Sequence, residues 1–316
     1  MTMDETLANA ARIAPLALPV LLGFFAARVG LVRDVRGAIS GLNGLALYFA
    51  FPALITGGLL GSEFELPTSL GFWLAVPLVQ AVTVAVAWSY ARASGRTQHA
   101  GTLAIVGLWG NVAYLGLPYA IAVFGEAQAG ICSLVVAIHV AGSMALGPLL
   151  LARWSGASAH VAWSKLLGQP LLWAPVVGLA ARSLPDGARE GFATLIAPLG
   201  RGAAPAALFM LGLYLFENRA AMRPGADGVL AHVIGRLVAV PAITAAVVFG
   251  LVRAGLLDAS HGSIILVLSG MPAAITTFAF AHEFGIGQER VAATIVQSTL
   301  LCLLTLPLLA ALAALL

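Results

Sequence analysis

Charge is what this sequence has least of: only 9% of its 316 residues are charged, against 60% hydrophobic. A soluble domain carries about 25% charged residues, so this chain has too few to coat a water-facing globule of its size. Apolar runs long enough to cross ~30 Å of hydrocarbon recur from end to end. That pattern excludes a soluble protein with an oversized core. Cysteine is scarce too. Cys132 and Cys302 both sit in apolar runs and read as small packing residues, since a metal site or disulfide framework needs more ligands at set spacing. No metal or other cofactor is expected. No GxxxxGK[ST] stretch is present, so nucleotide hydrolysis through a phosphate-binding loop is excluded. The net charge of +3 comes from basic residues scattered through the loops without interleaved aromatics, which argues against nucleic acid as a partner. A basic leader is missing as well: Asp4 and Glu5 stand where one would begin. The first apolar run is therefore expected to be kept as a span.

What is present is a series of runs of roughly 20 apolar residues. They fall at 9–29, 38–61, 68–91, 99–123, 128–151, 170–185, 193–216, 229–252, 261–281 and 290–315. The predicted fold class is an all-α integral membrane protein of ten transmembrane helices. One set of alternate loops carries Arg28, Arg33, Arg36, Arg92, Arg96, Arg153, Lys165, Arg219, Arg223 and Arg290. The other set, with the N-terminus, carries only Arg12, Arg182, Arg189 and Arg253. The positive-inside rule puts the first set in the cytoplasm, so both termini are expected outside, in the cell (plasma or inner) membrane. Such a placement requires an even number of spans. The connection at 152–169 holds Trp154, His160, Trp163 and Lys165 and reads as a cytoplasmic interfacial linker.

That linker separates two related stretches. GNVAYLGLPYAIAVFG at 110–125 and GMPAAITTFAFAHEFG at 270–285 share their breaker-rich start and their Phe-Gly end at one spacing. Gln128 falls on Gln288 at the same offset, and Val76-Pro77 resembles Val240-Pro241. The chain thus divides into a first five-span repeat at 1–151 and a second at 170–316. Five is odd, so the second repeat must enter the membrane inverted, a design recurrent among secondary transporters. Asn111, Gly116 and Pro118 interrupt the fourth span, and Gly270 and Pro272 the ninth. Proline lacks an N–H and crowds the preceding turn. The backbone groups freed at each gap must find protein, water or ligand, because lipid offers no partner. Where two such gaps meet, half-helix N-termini converge and favour a carboxylate.

At these residues the sequence resembles the auxin efflux carrier family, which includes plant PIN carriers and bacterial malate and malonate permeases. LYFAFPALI at 47–55, the 110–125 stretch and above all GMPAAITTFAFAHEFGIGQERVAATIVQSTLLCLLTLPLL at 270–309 carry the likeness. The resemblance implies ten spans in two inverted halves, a scaffold domain and a transport domain, and crossing broken helices four and nine at the substrate site. It also makes a homodimer a reasonable expectation. The long hydrophilic loop of the plant carriers is absent here.

The expected substrate-binding residues centre on Asn111, whose amide can donate to a carboxylate. Gly110, Gly116, Pro118, Gly270 and Pro272 shape the gaps. Thr276 and Thr277 can bond a ligand or their own helix, and Asn43, Gln80 and Gln297 are further intramembrane polar groups. Arg201 and Arg236 lie in the seventh and eighth spans, as anion attractors, as partners to freed carbonyls, or snorkelling to the headgroups. His139, and His282 with Glu283, are candidate proton carriers. His139 and Ser143 share a helix face, but no third group joins them, and no acidic cluster exists to serve an intramembrane enzyme. The function expected is a secondary carrier for small organic carboxylate anions, with the bilayer as its other partner. It would work by alternating access, be driven by membrane potential or a proton gradient, and act as an efflux permease. The alternatives are a sodium-coupled symporter of the bile-acid type and a non-transporting membrane sensor.

Overall fold

The structure is a computed structural model, and it describes residues 3–61, 65–95, 99–155, 168, 170–222 and 228–316. Among these residues it is helical, with no strand and one isolated backbone bridge. The expected linker at 152–169 falls mostly outside the described residues. Helices α1 (Met3–Arg28), α2 (Val35–Leu45), α3 (Phe51–Leu60), α4 (Leu70–Ala93) and α5 (Ala100–Leu108) come first. Then follow α6 (Leu117–Phe124), α7 (Ala129–Ser155), α8 (Pro170–Ala181) and α9 (Asp186–Glu217). The series ends with α10 (Val229–Ile234), α11 (Val240–Arg253), α12 (Ala259–Ser269), α13 (Thr276–Glu283) and α14 (Gln288–Ala313).

Six helical segments among the described residues are long and apolar enough to cross a membrane: Val35–Leu60, Leu70–Ala93, Glu126–Gly147, Asp186–Glu217, Val229–Arg253 and Gln288–Ala313. Shorter apolar helices occur at Pro15–Arg28, Val112–Phe124, Pro170–Ala181 and Ala259–Ser269. Large apolar side chains such as Leu18, Leu195, Leu304 and Leu308 stand exposed, as they would be against lipid. The chain is a multi-pass membrane protein. The seventh segment starts earlier than its hydropathy suggests, at Asp186. An acidic residue suits the first turn of a helix, and Arg189 pairs with Asp186 at 2.7 Å.

Proline shapes several of these helices. Three π-helical turns, Ala46–Ala50, Val112–Gly116 and Gly235–Ala239, each end two residues before a proline: Pro52, Pro118 and Pro241. The ring of each proline crowds the carbonyl four residues back, on Tyr48, Tyr114 and Leu237. Widening that turn by one residue relieves the crowding. Pro77 and Pro307 lie inside α4 and α14 without such a turn, so proline alone does not force one.

The helices gather into two compact units, each drawing on both the N-terminal and the C-terminal half of the chain. The first holds residues 1–66, 113–137 and 169–219. In it α1 lies along α9 with backbones in direct contact: a Cβ on Gly212 would come within 2.0 Å of the Val20 carbonyl. Small residues allow this approach, which is how helices associate in lipid. Phe24 meets Phe216 edge to face at 5.6 Å. Helix α3 packs on α8, and the Thr56 hydroxyl donates to Ala174 O at 3.1 Å.

The second unit holds residues 67–112, 138–168 and 220–316. Helix α4 packs against α5 and α11, and α12 against α11 and α14. Phe72, Ile105, Leu108, Ile264 and Val296 are among its buried side chains. This unit contains both α12 and α13, on either side of one interruption, and α5, which ends at the other.

Candidate functional site

The two interruptions meet inside the second unit. Helix α5 stops at Leu108, and α12 stops at Ser269. The short extended pieces that follow pair antiparallel, with Gly110 bridged to Ala273. Asn111 N–H donates to Pro272 O at 2.7 Å, and Ala274 N–H donates to Trp109 O at 2.9 Å. Each gap therefore repairs part of the other, as the lack of any lipid hydrogen-bond partner requires.

Three side chains take up further freed groups. Ser298 Oγ on α14 accepts from Ala273 N–H at 3.1 Å. Ser143 on α7 donates to Leu108 O at 2.9 Å and receives the Gln80 amide at 3.0 Å. The third is Arg236, which stands in the π-turn Gly235–Ala239 before α11 and is 0% exposed. Its Nε donates to Met271 O at 2.7 Å, Nη1 to Gly107 O at 2.6 Å and Nη2 to Ser269 O at 2.8 Å. One guanidinium thus ties the carbonyls of both broken spans together. Its planar fork suits three separated acceptors in a way an ammonium would not. Gly110 makes room for it, since a Cβ there would lie 2.3 Å from Nη2. Beside these, Trp109 stacks on Phe280 with ring centroids 4.6 Å apart.

Asn111 lies at the centre of this arrangement, 4% exposed, and its side-chain Nδ2 has no hydrogen-bond partner. Buried amide groups are nearly always paired, so an orphaned NH2 beside two helix breaks marks a place for an acceptor. Thr277 is fully buried, and its Oγ1 also lacks a partner. The apolar groove of ≈ 370 Å³ in the same unit, lined by Val86, Tyr90, Leu103, Gly107 and Ile234, offers no charged group to orient a polar ligand.

The structure brings Gly110, Asn111, Gly270, Pro272 and Arg236 into one neighbourhood, with Thr276 and Thr277 opening α13 just after it. Gln80 bridges α4 to α7 through His139 O and Ser143. Gln297 donates to Ala221 O at 3.2 Å. Asn43, Gly116 and Pro118 belong to the first unit. There Asn43 Oδ1 accepts from the Tyr114 hydroxyl at 2.8 Å, and Tyr114 stacks on Phe51. Arg201 is exposed midway along α9. His139 is half-buried, and its Nε2 lacks a partner. His282 is exposed and bonds Gln288 at 3.0 Å, while the Glu283 side chain lies outside the described residues. Sequence reasoning missed Ser298, whose only signal was its place in a Ser-Thr pair of the last span.

Comparison with known proteins shows similarity to membrane transporters. The profile of a family described as membrane transport protein matches residues 10–160 and 153–310. A protein of Rhizobium meliloti (strain 1021) named "Putative malonate transporter" is 28% identical over 311 residues, covering 93% of this chain and 94% of that protein. An "Uncharacterized transporter" of Methanothermobacter thermautotrophicus is 27% identical over 304 residues, covering 92% and 93%.

Proposed function

The chain belongs to the membrane transport protein family and is a transporter rather than an enzyme, and from that premise we propose that it carries small organic carboxylate anions. The observation that carries this reading is the orphaned amide of Asn111, buried at the paired breaks of two spans. A carboxylate oxygen is the acceptor that amide lacks. The half-helix α13 resumes just after the second break, at Thr276, and the partial positive charge of its N-terminus favours an anion. The printed name of the Rhizobium relative adds malonate as the first acid to try.

In this reading ten spans form two inverted repeats, 1–151 and 170–316, joined by a cytoplasmic linker, with both termini outside the cytoplasm of the inner membrane. A homodimer is the proposed assembly. Alternating access of the crossover moves the substrate. Export of one net negative charge down 100 mV releases ~2.3 kcal/mol, enough to drive efflux without a coupling ion. The test is uptake of radiolabelled malonate, malate and indole-acetate into liposomes holding the purified protein, under imposed voltage or pH gradients. Saturable movement of one acid, lost in Asn111→Ala, is the expected result. Movement of none under any gradient would sink the carboxylate reading.

A further inference from the structure

Arg236 is a cation buried at the crossover. A charge inside a membrane protein is costly, and where it is retained it usually serves a substrate or ion path. This one is 0% exposed, and among the described residues no carboxylate pairs with it. Its three bonds all go to neutral carbonyls, of Gly107, Ser269 and Met271. These dipoles hold the guanidinium in place and leave its net positive charge standing. That charge lies against Gly110, the neighbour of Asn111, close enough that a Cβ on Gly110 would meet Nη2 at 2.3 Å. In a site excluded from water, such a charge acts over several ångströms with little screening.

We propose that Arg236 is the specificity-determining charge of this carrier: it makes the crossover prefer an anion over a neutral molecule of the same shape, through space and without touching it. This rests on the reading of the crossover as the substrate site. Asn111 supplies a hydrogen bond that a carboxylate or a carboxamide can accept. Arg236 supplies the field that only the carboxylate feels. The two roles are therefore separable by substrate charge. Preorganised charge of this kind needs no rearrangement when the ligand arrives.

The experiment compares malonate with its uncharged isostere malonamide, as competitors of radiolabelled malonate uptake in liposomes. The variants are Arg236→Met, Arg236→Lys and Asn111→Ala. Wild type is expected to favour malonate by about tenfold or more. Arg236→Met should bring that ratio close to one. Arg236→Lys keeps the charge but loses the fork, so it should hold the ratio while lowering the melting temperature. Asn111→Ala should weaken both ligands by similar factors. If Arg236→Met does not fold, Arg236→Lys decides: a lysine variant that has lost the ratio overturns the proposal. A methionine variant that weakens malonate and malonamide equally also overturns it, since that is what a merely structural arginine would do. Wild type that moves malonate but ignores the charge of its competitor refutes this inference and leaves the carboxylate reading intact. Wild type that moves no acid removes both.

Discussion

Two arginines, one in each unit, bind carbonyls that an ending helix has freed, and they do so in different surroundings. In the first unit Arg182 reaches across from the end of α8 and donates through Nη1 to Leu59 O at 2.8 Å and Gly61 O at 3.2 Å, closing the C-terminus of α3. In the second unit Arg236 closes the ends of α5 and α12 from a fully buried position. The bonds are alike in length and chemistry. What differs is the alternative partner. Arg182 is half-buried at a helix end, where water or headgroups can serve the carbonyls if it leaves. Arg236 is fully buried, away from water and headgroups, so each carbonyl it abandons carries its desolvation cost. A hydrogen bond is worth what its absence costs, and that depends on depth.

The largest effect expected from this contrast comes from Gly110→Ala. The added methyl would lie 2.3 Å from Nη2 and 2.9 Å from Cζ. A flexible side chain could swing away, but this one is held by three bonds. The guanidinium must shift and loosen its hold on Ser269 O or Gly107 O. Overpacking and a strained buried bond together should cost about 2 kcal/mol, read as an earlier unfolding midpoint in detergent. Malonate transport should fall with it. A midpoint equal to wild type would show that Arg236 can be displaced freely, and the contrast with Arg182 would collapse.

Much of this arrangement was legible in the sequence, and the limits are instructive. The interruptions at Asn111 and Pro272 could be read because glycine and proline cluster in both the 110–125 and the 270–285 stretches. That the freed backbone groups need partners was legible; that they pair antiparallel with each other, Gly110 with Ala273, was not. The fates of Arg201 and Arg236 were not legible. Both sit in apolar runs, yet Arg201 is exposed on α9 and Arg236 is wholly buried. Hydropathy reports how far along a span a residue lies, not which face it occupies or whether a neighbouring helix has broken opposite it. The π-turn that carries Arg236 was hidden for a similar reason. Pro241 is preceded by one and Pro77 is not, because packing decides which crowded turn widens. Ser298 was missed because one hydroxyl on an apolar helix looks the same whether it bonds its own turn or another chain segment.

Ser298→Ala probes the middle of the scale. The hydroxyl accepts from Ala273 N–H at 3.1 Å and donates to Ile295 O at 3.2 Å, and it is 0% exposed. Its removal leaves one neutral N–H unpaired in the crossover, with the Asn111 and Ala274 pairs still in place. The expected loss is about 1 kcal/mol, measured by the same unfolding assay. Because no charge is involved, the preference for malonate over malonamide should not move. A loss as large as that of Gly110→Ala would mean that one neutral N–H orphaned at this depth costs as much as disturbing the three bonds of Arg236.

The smallest effect is expected for Arg182→Ala. Its acceptors, Leu59 O and Gly61 O, belong to the last turn of α3 and the residue just beyond it. Helix C-termini ordinarily leave carbonyls for water to satisfy. Removing the guanidinium exchanges two protein bonds for bonds to solvent or headgroups, and the net worth of such an exchange is about 1 kcal/mol or less once screening is allowed for. Transport should be close to wild type. The informative measurement is the unfolding midpoint of Arg182→Ala set beside that of Gly110→Ala. A similar drop in both would mean that the end of α3 is as closed to water as the crossover, and burial in the folded chain would then no longer separate the two arginines.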